Sequence, residues 1–154
     1  MIRVRASSVV EAPVAEVWAL VGDFAAVADW MPGITTATLD QPGAASRIGT
    51  TRRLVFEDGS HMTERLLALS EPDTSVTFAI EESELPISNY RSTIRLASVT
   101  DGDRTYIEWV AEFEVPPARE EAMRRRMLED IYQPSFDSLK RLFERKGAGD
   151  DGAS

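Results

Sequence analysis

From Ile34 to Val115 apolar and polar residues alternate with a period of two, and at Pro116-Pro117 the alternation stops. From about Ala118 to Lys146 the apolar residues return at helical spacing, with Leu128, Ile131, Tyr132, Phe136, Leu139, Leu142 and Phe143 on one stripe. A run of half-apolar strands followed by one long amphipathic helix has few ways to hide both apolar faces. The two must bury against each other as a two-layer α+β domain.

Turn residues divide the alternating region. Gln41-Pro42-Gly43, Asp58-Gly59, Glu71-Pro72-Asp73 and Asp101-Gly102 separate expected strands at Thr35–Leu39, Thr50–Phe56, His61–Leu69, Ser75–Glu81, Ser88–Val99 and Thr105–Val115. Connections this short join antiparallel neighbours. A further strand is expected at Ile2–Val10. Pro13 then opens a helix carrying Val14, Val17, Trp18 and Val21, and a second short helix over Phe24–Ala28 stops at Trp30-Met31-Pro32-Gly33. The expected fold is a curved antiparallel sheet of about seven strands wrapped around the C-terminal helix, with two short helices after strand 1. Pro134 lies mid-helix, where its ring opposes the carbonyl of Asp130, so a kink is expected there.

A chain of 154 residues suits a single domain, placed at 1–146, with the Gly- and Asp-rich stretch 147–154 expected to be a disordered tail. The net charge of −9 opposes nucleic acid and anionic lipid as partners. Without cysteine there is no disulfide or thiolate ligand, and with His61 as the one histidine no transition-metal site is expected. Neither a signal-peptide core nor a membrane-spanning stretch is present, so a cytoplasmic protein without membrane insertion is expected, as a monomer or weak homodimer.

The Asp58-Gly59 hairpin decides which side chains share the inner face. A two-residue turn pairs Val55 with Met62. A three-residue loop with left-handed Gly59 pairs Leu54 with Met62 and Arg52 with Glu64, gathering Leu54, Phe56, Met62 and Leu66 inward. The second is adopted. Parity also turns Phe78, Tyr90, Ser92 and Trp109 inward. Leu85, Met127 and Ile131 join the expected lining from the loop and the helix, and Trp30 from the turn before strand 2.

An apolar chamber holding Arg52, Glu64, Tyr90 and Ser92 has the make-up of a ligand site, since a buried carboxylate is costly unless paired. Glu64 is read as a ligand contact, a general base or a structural ion pair with Arg52. Tyr90 is read as pocket lining or as a proton donor. Trp30 and Trp109 stack on a flat ligand or fill the core, and Trp18 is structural. His61 faces outward, and Arg124-Arg125-Arg126 forms a solvated helix face.

Thr63-Glu64-Arg65-Leu66-Leu67-Ala68-Leu69 and Asn89-Tyr90-Arg91-Ser92-Thr93 resemble two strand motifs of the plant abscisic-acid receptors, members of the START-like (SRPBCC, birch-pollen-allergen) superfamily. Ala12-Pro13-Val14, Gly49-Thr50-Thr51-Arg52 and Val115-Pro116 fit the same template. Glu108-Trp109-Val110-Ala111-Glu112-Phe113 and Trp30-Met31-Pro32 are similar to its bacterial polyketide cyclase/dehydrase branch. The resemblance covers almost the whole chain. It implies the helix-grip fold, pocket-lining roles for Arg52, Glu64, Tyr90 and Ser92, and mobile loops at 57–60 and 83–86. Both loops lack the receptors' signature runs, and no lysine lies on an inner strand face, so the resemblance does not extend to abscisic-acid sensing or phosphatase docking.

Two functions follow as expectations. One is a carrier or sensor binding a small hydrophobic ligand, aromatic or polyketide-like, without a cofactor. The other is a cyclase/dehydrase in which Arg52, Glu64 and Tyr90 are the candidate catalytic residues.

Overall fold

A computed structural model describes residues 1–152, with side chains described as far as Glu144. The expected disordered tail at 147–154 lies outside the residues whose side chains are described.

Seven strands form one antiparallel sheet in the order β1-β7-β6-β5-β4-β3-β2. They are β1 (Ile2–Val10), β2 (Ile34–Leu39), β3 (Thr51–Phe56), β4 (His61–Ser70), β5 (Ser75–Ser83), β6 (Ser88–Val99) and β7 (Arg104–Glu114). The long connection from β1 to β2 carries helix α1 (Val14–Val21) and a 3-10 turn at Phe24–Asp29. Asp23 accepts the backbone N–H of Ala25 at 3.0 Å and so caps that turn. β1 pairs with the last strand, β7, while the 3-10 turn packs on β2 and α1 on β6 and β7.

Parity holds along the strands. In β7, Ile107, Trp109, Ala111 and Phe113 are buried, whereas Glu112 and Glu114 are exposed. The three-residue loop is present: Leu54 pairs with Met62 and Arg52 with Glu64. Gly59 has φ +86°, left-handed backbone that a residue with a Cβ adopts at a cost. The pairing of β4 with β5 shifts register twice, between Thr63 and Glu64 and between Leu66 and Ala68. Bulges of this kind bend and twist a sheet, and these two lie where β4 passes the buried Glu64.

The C-terminal helix is not uniform. A 3-10 turn (Pro117–Arg119) leads into α2 (Glu120–Arg126), then a π-helical stretch at Met127–Tyr132, then α3 (Gln133–Gly152). The backbone N–H of Gln133 reaches back to the carbonyl of Leu128, five residues earlier. The disruption expected at Pro134 takes the form of this widened turn ahead of the proline, with Ser135 Oγ donating to the carbonyl of Ile131 at 2.6 Å. One extra residue in the turn rotates the helix and changes which side chains meet the sheet. Tyr132, Phe136 and Leu139 are fully buried beyond it. Among the described residues no helix is long and apolar enough to cross a membrane.

Candidate functional site

Arg52 and Glu64 face each other across β3 and β4, both more than nine-tenths buried. Arg52 Nε donates to Glu64 Oε1 at 2.8 Å, and Nη2 approaches the same oxygen at 2.7 Å. Nη1 donates to the carbonyl of Phe24 at 2.9 Å. The guanidinium lies between two rings, 3.9 Å from the centroid of Phe24 and 4.9 Å from that of Phe78. Charge, hydrogen bonds and cation–π contacts together offset the desolvation of the pair. Both contacts fall on Oε1. Glu64 Oε2 takes no hydrogen bond from any described residue, and Glu64 lines a cavity.

That cavity measures about 80 Å³ and lies between the sheet and the π-helical stretch. Its walls are Leu54, Phe56, Met62, Ile80, Tyr90 and Trp109 from the sheet, Met31 and Pro32 from the turn before β2, Leu85 from the β5–β6 loop, and Met127, Asp130, Ile131 and Ser135 from the helix. It opens towards a wider recess of about 550 Å³, with which it shares Pro32, Phe56, Met62, Leu85, Asp130 and Ile131. The chamber alone holds roughly two or three waters. The recess is the size of an ordinary small-molecule site, for which roughly 300–1,000 Å³ is typical. Three of the chamber's walls are methionines, whose flexible thioethers repack easily around an inserted group.

A second polar group meets the chamber beside Glu64. Tyr90 and Tyr132 are buried, and their hydroxyls are 2.7 Å apart. Trp109 stacks on Tyr132 with centroids 4.3 Å apart, and Tyr90 stacks on Phe113 at 5.7 Å. Burial pushes the Tyr90 phenol up to about 12, an effect that the hydrogen bond with Tyr132 partly counters and the charge of Glu64 reinforces. Burial likewise raises Tyr132 well above the usual phenol range, with the neighbouring Tyr90 adding to the rise. Both phenols are thus neutral proton donors at physiological pH. Ser92 Oγ, Trp109 Nε1 and Trp30 Nε1 are buried without a hydrogen-bond partner. An orphaned buried polar atom costs roughly 1–3 kcal/mol, so three of them make this a poor core if packing were its sole purpose.

Nine of the thirteen residues expected at the site line the chamber: Leu54, Phe56, Met62, Glu64, Leu85, Tyr90, Trp109, Met127 and Ile131. The other four do not. Arg52 is held behind Glu64 by Phe24 and Phe78, and Phe78 is itself the far side of that clamp. Ser92 is one step further along β6 than Tyr90 and is covered. Trp30 packs against Trp109 with centroids 6.1 Å apart. Strand parity identifies the inner face and says nothing of depth, so Arg52, Phe78 and Ser92 look the same as lining residues in the sequence. The residues not anticipated are Met31, Pro32, Asp130 and Ser135 on the wall and Tyr132 behind it; Ile80, which alternation along β5 turns inward, also lines the chamber. Tyr132 reads as part of an apolar stripe, and its one signal is a phenol at a core position with a proline two residues on.

The remaining charged residues fall where patterning placed them. His61 is exposed, with Nδ1 3.0 Å from Arg53 Nη2. Arg124 donates to the carbonyl of Arg3 at 2.7 Å and approaches Glu121 at 3.7 Å. Trp18 Nε1 donates to Glu71 at 2.7 Å and holds α1 against the β4–β5 turn.

A seven-stranded antiparallel sheet gripping a long helix, with an apolar chamber between them, defines the START-like helix-grip class. The chain belongs to the family described as polyketide cyclase/dehydrase and lipid transport, whose model matches residues 1–144. Among solved structures it is similar to the protein XoxI from Bacillus cereus, at 28% identity and a TM-score of 0.80, covering 93% of this chain and 96% of that one. It is also similar in fold to BexL, a di-domain ARO/CYC protein of the BE-7585A biosynthetic pathway, at 17% identity and a TM-score of 0.77 over 94% of this chain and 47% of that one. Norcoclaurine synthase from Thalictrum flavum, solved with dopamine and hydroxybenzaldehyde, shares the fold at 16% identity and a TM-score of 0.70 over 94% and 87% of the two chains. No curated protein matches the sequence significantly. Family and fold together support hydrophobic-ligand binding or cyclase chemistry as the general function.

Proposed function

We propose that the chain is a binding protein, a carrier or sensor, for a small apolar molecule of aromatic or polyketide-like character. Its apolar body enters the chamber and a hydrogen-bond donor on it meets Glu64 Oε2. The observation that carries this reading is the free oxygen itself: a carboxylate more than nine-tenths buried, neutralised by Arg52 through one oxygen and offering the other to an apolar cavity. Greasy walls supply affinity, and one oriented acceptor supplies selectivity. Native mass spectrometry with a panel of phenols and polyketide-like aromatics tests it. A one-to-one adduct is expected, lost in Ile80→Trp, where the indole fills the chamber. The same adduct in both proteins, or none across the panel, overturns the reading.

A second reading has its own support. Neutral Tyr90 and Tyr132 phenols beside an ionised carboxylate place a proton donor and a proton acceptor on one chamber, as an intramolecular aldol cyclisation and dehydration needs. Under this reading Glu64 removes a proton from the carbon that attacks, Tyr90 protonates the carbonyl oxygen, and Arg52 positions Glu64. Glu64→Gln then abolishes turnover of a poly-β-keto thioester mimic while its affinity remains near the wild-type value. Undiminished turnover removes Glu64 from the chemistry.

A further inference from the structure

The recess outside the chamber is lined by Glu57 and Asp58 from the β3–β4 loop, Glu84 from the β5–β6 loop and Asp130 from the π-helical stretch. Three separate elements thus aim carboxylates at one mouth. Against them stand Arg126 and His61. His61 Nδ1 lies 3.0 Å from Arg53 Nη2. Four carboxylates therefore face one guanidinium and one imidazole. None of the four is in an ion pair among the described residues, whose ion-paired acids are Glu11, Glu64, Glu81, Glu108 and Glu121. They are not gathered as a metal site either, since no described group of three or more acids or histidines could hold a cation.

The path inward continues in the same sense. Ser60 Oγ donates to Asp58 and Ser135 Oγ donates to the carbonyl of Ile131, so both hydroxyl protons are already committed. The two tyrosine hydroxyls are bonded to each other, which commits one of their two protons. At the end of the path stands Glu64 Oε2, an uncommitted acceptor on a side chain only 6% exposed and independent of the loop carboxylates. Acceptors outnumber donors at the mouth, while the chamber wall keeps a free donor, Trp109 Nε1, beside the free Glu64 Oε2.

We infer that the ligand is an amphiphilic cation, an apolar or aromatic body carrying a protonated amine that stays in the acidic mouth, and that carboxylate-bearing amphiphiles are rejected. The inference rests on the binding reading above and names its ligand class. An ammonium is a pure donor and meets four carboxylates at the mouth, while a carboxylate is a pure acceptor and meets those four against one guanidinium. The mouth gathers its carboxylates in one recess, so their fields add on whatever enters, and the chain's net charge of −9 acts in the same sense. The Arg52–Glu64 pair is already neutralised, so the amine belongs in the mouth, where it keeps part of its hydration.

The test is a matched series of 3-phenylpropylamine, 3-phenylpropanol and 3-phenylpropanoate, titrated into the full chain by calorimetry at low salt and at 0.5 M salt. The amine is expected to bind roughly tenfold or more tightly than the carboxylate, with the alcohol between them and the gap closing several-fold at high salt. In Glu57→Gln/Glu84→Gln the amine weakens and the carboxylate strengthens, each relative to the alcohol. Equal affinities for amine and carboxylate, a tighter carboxylate, or an unchanged gap in the double variant overturns the inference and leaves the binding reading standing if the alcohol binds. Failure of all three probes overturns both.

Discussion

Replacing Arg52 by Met removes the one cation among the described residues within hydrogen-bonding reach of Glu64. The substitution keeps most of the side chain's length and apolar contact with Phe24 and Phe78, so its cost is chiefly electrostatic. With side chains 5% and 6% exposed, neither partner has water to fall back on. The variant leaves an uncompensated buried carboxylate and orphans the carbonyl of Phe24. Breaking a buried pair in this way costs about 3–5 kcal/mol. At roughly 2–4 °C per kcal/mol for a domain of this size, the melting temperature falls by roughly 6–20 °C. The double variant Arg52→Met/Glu64→Leu removes both charges together and recovers most of that loss, since replacing a buried pair by apolar residues is often neutral or stabilising by about 1–4 kcal/mol. Urea denaturation of wild type, single and double variants at pH 7 measures all three. A single variant within about 1 kcal/mol of wild type, or a double variant no more stable than the single, would show that Glu64 is not held in a dry site.

Three further outcomes follow from the same coordinates. Tyr90 and Tyr132 have folded pKa values raised above the unfolded one, so the unfolded chain releases their protons first and the stability these two groups contribute, fully present below pH 10, is lost between pH 10 and about 12. Two such groups give a slope of about 2.7 kcal/mol per pH unit, halved in Tyr90→Phe, and alkaline denaturation curves that match in the two proteins would contradict this. Tyr132→Phe strands the Tyr90 hydroxyl in the core and costs about 1–3 kcal/mol in chemical denaturation, whereas a surface-like change under about 0.5 kcal/mol would mean the two hydroxyls are not paired. Gly22→Ala places a Cβ 2.5–2.7 Å from the Trp18 indole, which must move and disturb its bond to Glu71, and a loss of about 1–3 kcal/mol is expected; an unchanged melting point refutes the close approach.

Most of the sheet was legible because strands of period two show one face directly. β1 and β6 fall on the expected residues, and the hairpin register follows from one glycine: Gly59 in left-handed backbone sets the loop at three residues and brings Arg52 opposite Glu64. The helix was legible in its start, but not in its end, which lies at Gly152 rather than Lys146, nor in its phase. Its stripe assumes a uniform turn, and the π-helical stretch at Met127–Tyr132 breaks that assumption, bringing Asp130 and Ser135 to the cavity and the Tyr132 hydroxyl to Tyr90. Depth was the other gap. Arg52, Phe78 and Ser92 share a face with the lining residues and lie behind them, because the 3-10 turn brings Phe24 over Arg52, a contact between residues 28 apart that no local pattern encodes.

The central claim is that a small apolar molecule enters between sheet and helix and reaches Glu64. Methyl-resolved NMR during titration with 3-phenylpropanol tests it most directly. The account predicts saturable shifts confined to methyls around the chamber, those of Leu54, Ile80, Met127 and Ile131, and their disappearance in Ile80→Trp. Shifts that never saturate, or that centre on exposed methyls such as those of Ile48, would contradict it.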